Sequence, residues 1–389
     1  MRLAVNLTPI PSLRLSNFYF WYFAVIGAFM PYWTLYLEHR GLDKATIGLL
    51  AFISVFTRII APSAWGWLAD RRGRRMQLVR FATAAEVLAW ASLWWLPSTL
   101  PYLVGMLFFY SFFQNAILAQ FEAVTLFWLK HQRQRYGAIR LWGSAGFIAF
   151  VLLLGVVFDH LSVAFLPAIL AALSLVSFGV ALACPEPPLA PQATRRPPSV
   201  WPILQRPTVY RFFAMQALLL LSHAPFYSFY SLYLGELGYS VSQTGVLWTV
   251  GVVAEIVMFM NSRHFLLRWS ERQLFAVCLV VTGVRWILTG VGHDYFSLLL
   301  IAQCAHAFSF ALFQVLSMQL INREFLPEQQ GRAQGLFSMV WGLGVAAGSW
   351  LCGRYWDTLG GNAVFVVAGM VSFLAVAVIP ANAHTVKKP

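Results

Sequence analysis

Seven ionisable side chains interrupt long hydrophobic runs in this sequence: Arg58, Glu86, Glu122, His223, Glu255, Arg285 and His306, while Arg140 opens another run. A charged side chain at the centre of a bilayer costs roughly 2.5–3.5 kcal/mol on insertion scales. That cost is tolerated where the group pairs, faces water or works. Interhelical ion pairs that only fix packing are the alternative, although Ser, Thr and Gly usually do that job. A buried carboxylate beside a cation has a further property. Desolvation favours its neutral form and the cation favours its charged form, so moving the cation changes its affinity for a proton. Such acid–base sets fit proton-linked movement of a solute. Helical spacing gathers polar groups into sectors: Ser111, Asn115, Glu122 and Thr125 in one run, Gln216, His223, Tyr227 and Tyr230 in a second, and His306, Ser309, Phe313 and Ser317 in a third. An aromatic-rich cavity with a few fixed charges suits an amphipathic solute.

The elements that must position these groups follow from composition. Hydrophobic residues fill 59% of the 389 positions and charged residues 11%, whereas a soluble domain carries about a quarter charged residues. This chain cannot clothe itself for water. Twelve apolar runs of membrane-crossing length occur, near 17–37, 46–69, 77–96, 102–129, 138–158, 162–183, 210–234, 243–265, 273–291, 295–321, 331–354 and 362–380. The expected fold is therefore an all-α membrane protein of twelve transmembrane helices. Arg2 and Arg14 precede a first run of full length, so that run is expected to be its own insertion signal rather than a cleaved leader.

The net charge of +13 would point to nucleic acid in a soluble chain, but its distribution excludes that reading. Twenty-two Lys and Arg fall at the termini or in loops after even-numbered runs, against Arg40, Lys44 and Arg354 in the alternate loops. This asymmetry places both termini in the cytoplasm. Cys184, Cys278, Cys304 and Cys352 have no spacing that indicates a disulfide or a metal site.

Residues 184–207, rich in Pro and Arg, divide the chain into an N-terminal unit of six helices (1–183) and a C-terminal unit (208–389). The units repeat each other. A shift of 197 places Leu35-Tyr36-Leu37 on Leu232-Tyr233-Leu234, Gly41 on Gly238, Gly48 on Gly245 and Arg58 on Glu255. A shift of 198 places Gly155 and Asp159 on Gly353 and Asp357. Opposite charges at the equivalent positions 58 and 255 are expected to face one central cavity, at the interface of two parallel repeats.

Gly66-Trp67-Leu68-Ala69-Asp70-Arg71-Arg72-Gly73-Arg74-Arg75 resembles the loop between the second and third helices of the major facilitator superfamily. The resemblance implies two pseudo-symmetric six-helix bundles. It also gives Gly66, Asp70, Arg71, Gly73 and Arg74 a gating role, with Asp70 facing the start of the eleventh helix near Gly331. Tyr136-Gly137-Ala138-Ile139-Arg140-Leu141-Trp142-Gly143-Ser144 is similar to the lactose permease branch of that superfamily. Gly238-Tyr239-Ser240 with Gly245–Glu255 looks closer still to its bacterial phenylpropionate permease group. By this resemblance Glu122 and Arg140 hold substrate, while Glu255, Arg285 and His306 link substrate binding to proton movement. Phe147, His223, Tyr227 and Arg58 join the substrate set, and Glu86 the proton-coupling set. Two departures matter. The proton-carrying glutamate three residues beyond the tenth-helix histidine is Ser309 here, which leaves Glu255 or Glu122 as the carrier. The tryptophan on which a sugar ring stacks is Phe147, which weakens a disaccharide as substrate.

The expected function is proton-coupled uptake of a small aromatic carboxylate such as 3-phenylpropionate, with Arg140, Arg285 or Arg58 neutralising the acid. The resemblance places such a protein in a bacterial cytoplasmic membrane as a monomer, with no cofactor and the proton gradient as energy source. A sugar or nucleoside symporter and a drug exporter are the competing transporters, but no Gly-Pro-rich fifth-helix signature of antiporters is present. No HExxH, GxSxG or P-loop motif supports an enzyme.

Overall fold

The computed structural model describes residues 10–95, 99–130, 132–188 and 198–380, apart from the side chains of Ser63 and Asp70. The first bundle contains α1 (Ser12–His39), α2 (Lys44–Arg72), α3 (Arg75–Ser92), α4 (Leu100–Trp128), α5 (Tyr136–His160) and α6 (Leu166–Ala183). The second begins with α7 (Pro207–Glu236), α8 (Val241–Arg268), α9 (Glu271–Val291) and α10 (Phe296–Glu324). A continuous helical stretch, Gln330–Val376, then holds two spans. Gly360, at φ 78 and ψ 152, breaks it into α11 (330–359) and α12 (361–376). Among the described residues ten helices have the length and apolarity of a span, counting that stretch once. The twelfth is α3, whose Arg75, Arg80 and Glu86 dilute its apolar character.

Local chemistry explains several helix ends. Asp43 caps α2 by accepting from the Thr46 N–H at 2.6 Å. Ser240, at the equivalent position of the repeat, caps α8 in a reciprocal box with Gln243. Gly73 ends α2 in the left-handed region, φ 68, where a Cβ would be strained, and its N–H returns to the Ala69 carbonyl. Each described end of the linker is fastened to a different bundle. Glu186 accepts from the Met76 and Gln77 N–H groups at the start of α3, at 2.9 and 3.1 Å. At the other end, Gln329 and Arg332 donate to the carbonyls of Ser199 and Pro198.

The even-numbered loops form a basic end of the molecule, and the bundles meet most closely at the opposite end. There the glycines of the sequence repeat become the two seams. A Cβ on Gly353 of α11 would lie 2.5 Å from the Lys44 carbonyl oxygen and 2.7 Å from the Cα of Gly48 on α2. Across the pseudo-two-fold, a Cβ on Gly245 of α8 would lie 2.9 Å from the Val151 carbonyl oxygen on α5. Charges reinforce both seams. Lys44 bridges Glu38 of its own bundle and Glu236 of the other, at 2.5 and 2.7 Å. Asp159 at the end of α5 accepts from the Val241 and Ser242 N–H groups at the start of α8, at 2.8 and 3.2 Å. Near the basic end, by contrast, a Cβ on Gly66, Gly331 or Gly335 would meet nothing within 4 Å. Gly66 therefore makes no close backbone contact in this arrangement. Gly344 and Gly348, the second small-residue step of α11, do pack against Ala217, Leu220, Leu221 and Ala224 of α7.

Asp159→Ala removes a carboxylate from a helix start, a loss of about 0.5–2 kcal/mol. Opening of that seam should then rise roughly 2- to 30-fold. A cysteine at Val151, a fully buried position, should react correspondingly faster with a membrane-impermeant maleimide in a Cys304→Ser background. An unchanged rate would show that the cap does not hold the seam.

Candidate functional site

Halfway along the second bundle, three helices supply one connected set of polar groups. Arg285 on α9 is 1% exposed and donates to His306 Nδ1 at 2.6 Å, Ser309 Oγ at 2.9 Å and Gln303 Oε1 at 3.0 Å, all on α10. Its guanidinium also lies over the rings of Phe226 and Trp286, 4.6 and 4.1 Å from their centroids. A guanidinium can only donate, so His306 Nδ1 must accept and the imidazole proton resides on Nε2. That Nε2–H points at Glu255 Oε1 of α8, 2.7 Å away. The chain Arg285–His306–Glu255 thus joins a fully enclosed cation to a carboxylate that is 18% exposed. Arg285 does not touch Glu255 directly, and the histidine is the link. Immediately after His306, Ala307–Leu312 form a π-helical turn in α10, which carries Ser309. Such turns recur at functional sites.

His223 on α7 lies beside this chain, its ring 5.0 Å from Trp286 and 6.3 Å from His306. Its Nδ1–H donates to the Leu219 carbonyl at 2.8 Å, which leaves Nε2 an acceptor with no partner among the described residues. Tyr227, one turn on, stacks with His223 and contacts Trp341 of α11. His223, Tyr227, Ser309, Phe310 and Trp341 line one narrow cleft between α7, α10 and α11, whose free volume of about 10 Å³ has room for about one water in this arrangement.

A second polar set lies in the first bundle, nearer the basic end. Glu122 on α4 accepts from the Tyr136 hydroxyl at 3.2 Å and faces Arg140 Nε at 3.9 Å. Both side chains are about one-third exposed, Glu122 at 36% and Arg140 at 29%. Arg140 also lies over Phe23 of α1, 4.1 Å from its centroid.

Arg58 on α2 lies between the two sets. Its Cβ borders Gly342 of α11, and its guanidinium stacks on Trp341, 4.3 Å from the ring centroid. Tyr22 of the first bundle and Tyr227 of the second both feel its charge, and Tyr22 also feels Glu122 and Arg140. Tyr227 feels Glu255 and Arg285 as well. Arg58 and Glu255, the repeat-related pair, therefore address the same phenol. Glu86 is placed elsewhere. It is 1% exposed on α3, close to Tyr22 and Tyr110, and its Oε1 has no partner among the described residues. Phe147 is buried, its backbone packs against Gly27 of α1, and it lines neither the cleft nor the Glu122–Arg140 pair. In the loop, Arg71 stacks on Trp67 and Arg74 is exposed. The contact expected between Asp70 and the start of α11 falls on a side chain outside the described residues.

A family model described as the MFS_1 like family matches residues 12–367. The chain belongs to that family. It is 28% identical over 375 residues to the probable 3-phenylpropionic acid transporter of Escherichia coli (strain K12), covering 93% of this chain and 95% of that one. It is 25% identical over 340 residues to the maltose permease of Geobacillus stearothermophilus, covering 86% and 84%. Among solved structures, the nucleoside transporter NupG superposes with a TM-score of 0.81 at 18% identity, covering 96% of this chain and 98% of that one. The protein is thus a multi-pass membrane transporter of the major facilitator type, and it shares its fold with the NupG structure.

Within this transporter the sequence missed several working contacts. Gln303 lies three residues before His306, on the same helical stripe, and spacing alone could have found it. Asp159 and its glycine partner stood out in the repeat without revealing that they seal a seam. The contacts by which Trp341 meets Arg58 and Lys44 meets Glu236 carried no signal, because in each the two partners lie in different halves of the chain.

Proposed function

We propose that this transporter is a proton symporter that takes up a small aromatic carboxylate, such as 3-phenylpropionate, by alternating access. In this reading it resides in a bacterial cytoplasmic membrane with its basic end and both termini inside the cell. The arrangement described here is then open towards the cytoplasm and sealed outside. One observation carries the proposal: the Arg285–His306–Glu255 chain couples a buried fixed cation to a carboxylate that water can reach. Protonating Glu255 removes the negative charge of that chain. The site then holds an excess of positive charge, which an anionic solute balances. Proton and carboxylate therefore stabilise each other in the cavity and move together. The aromatic side chains that line the cleft beside the chain and the 28% identical 3-phenylpropionic acid relative support the choice of solute. A hydroxylated solute is the second reading, favoured by the exposed Glu122–Tyr136–Arg140 set.

Purified protein in liposomes under an imposed pH gradient tests both. Labelled 3-phenylpropionate should accumulate, and maltose and uridine should not. Glu255→Gln should lose gradient-driven accumulation while retaining solute exchange across the membrane, because exchange needs no net proton movement. Accumulation of maltose or uridine in place of the acid would favour the second reading. Unchanged accumulation in Glu255→Gln would remove Glu255 from proton transfer.

A further inference from the structure

Three arginines are embedded in the spans near the polar sets, and their donors are committed differently. Arg140 faces the carboxylate of Glu122. Arg285 is enclosed and spends its N–H groups on His306, Ser309 and Gln303. Arg58 is exposed, and no ion pair joins it to a carboxylate among the described residues. Its contact is with the face of Trp341. Stacking fixes the plane of a guanidinium and strips water from its face, yet leaves the in-plane N–H groups free. Those groups are arranged to meet a carboxylate with two parallel hydrogen bonds. The other side of the arrangement is apolar and planar. Trp341 borders an aromatic cleft that it shares with Tyr227, Phe310, Phe313 and Phe337, nearly closed in this arrangement, which would have to widen to admit a ring.

We infer that Arg58 is the receptor for the carboxylate of the solute, and that Trp341 holds both the guanidinium and the aromatic body of the solute in place. The inference rests on the aromatic-acid reading given above and names the residues that recognise it. Arg58 belongs to α2 and the pocket to α7, α10 and α11, so the solute bridges the two bundles. An amide of the same shape carries no charge for Arg58 to meet, and the site discriminates against it. The pseudo-symmetric partner of Arg58 is Glu255, so the anion-binding group and the proton-binding group occupy equivalent positions of the two repeats.

Equilibrium binding to the purified full-length transporter tests this with two probes, 3-phenylpropionate and 3-phenylpropanamide. The unmodified protein should prefer the acid by about 30-fold, the scale of a hydrogen-bonded charge. Arg58→Gln should abolish that preference, acid binding falling to the level of the amide, and Arg58→Lys should keep part of it. Trp341→Leu should weaken both probes together. A second measurement needs no variant: butanedione modifies Arg58 in the unmodified protein, and the acid, not the amide, should protect it. Retained preference in Arg58→Gln, or modification of Arg58 at the same rate with and without the acid, would overturn the assignment. Failure of the unmodified protein to bind any aromatic acid would instead defeat the underlying choice of solute.

Discussion

Arg285→Met should abolish gradient-driven accumulation and lower the thermal stability of the solubilised protein, and adding Glu255→Gln should recover stability without recovering transport. The substitution keeps volume and removes every donor that His306 Nδ1, Ser309 Oγ and Gln303 Oε1 share. Glu255 also loses the cation behind its histidine. Removing one partner from a buried charged network typically costs about 3–5 kcal/mol, since the remaining charge is uncompensated. Glu255→Gln cancels that charge while its amide oxygen still accepts from His306 Nε2–H, so most of the loss should return. Transport stays absent because the double variant has neither a proton carrier nor a cation to oppose it. The temperature at which half the protein leaves its monodisperse peak reads the stability. A double variant no more stable than Arg285→Met would show that Arg285 and Glu255 act independently.

Gly353→Leu should trap the molecule away from the arrangement described here. The added Cβ would meet backbone, the Lys44 carbonyl and the Cα of Gly48, rather than side chains able to swing aside. Only separation of α2 from α11 relieves it. Overpacking of this kind costs about 1–3 kcal/mol, which moves a two-state equilibrium by roughly 5- to 150-fold. Net uptake should fall in proportion, because each cycle must pass through the sealed arrangement. With Val151→Cys added in the Cys304→Ser background, position 151 should become reactive from outside. Normal uptake by Gly353→Leu would mean that the seam need not close tightly for turnover.

Much of this architecture was legible in the residues, for identifiable reasons. Apolar run length and the loop arginines specify twelve spans and their alternation, because a bilayer imposes one length and one charge asymmetry on every helix. The helices nevertheless extend past their apolar runs, as α1 does from Ser12 to His39, since capping and interfacial residues complete turns that hydropathy does not register. The stretch 330–376 reads as two runs with a polar gap, yet remains helical across Arg354 and Asp357 and turns only at Gly360. At the site, the ionisable residues could be picked out by their cost in lipid, but not their pairing. Arg285 and Glu255 invite a direct salt bridge on paper. The structure inserts His306 between them, a fact set by the rotation of α10 about its own axis. The free state of Arg58 was equally hidden, because it depends on which acids other helices bring near.

The π-helical turn at Ala307–Leu312 has a mechanical corollary. It holds one residue more than an α-helical turn would over the same rise, a slack that the rest of α10 does not have. Taking up that slack would rotate the preceding segment by about 100° and advance it by about 1.5 Å. His306 heads the turn, so this local rewinding alone would swing its imidazole out of line with Arg285 and Glu255. If the chain carries protons as proposed, this turn would give it a switch within a single helix, distinct from movement of the two six-helix bodies.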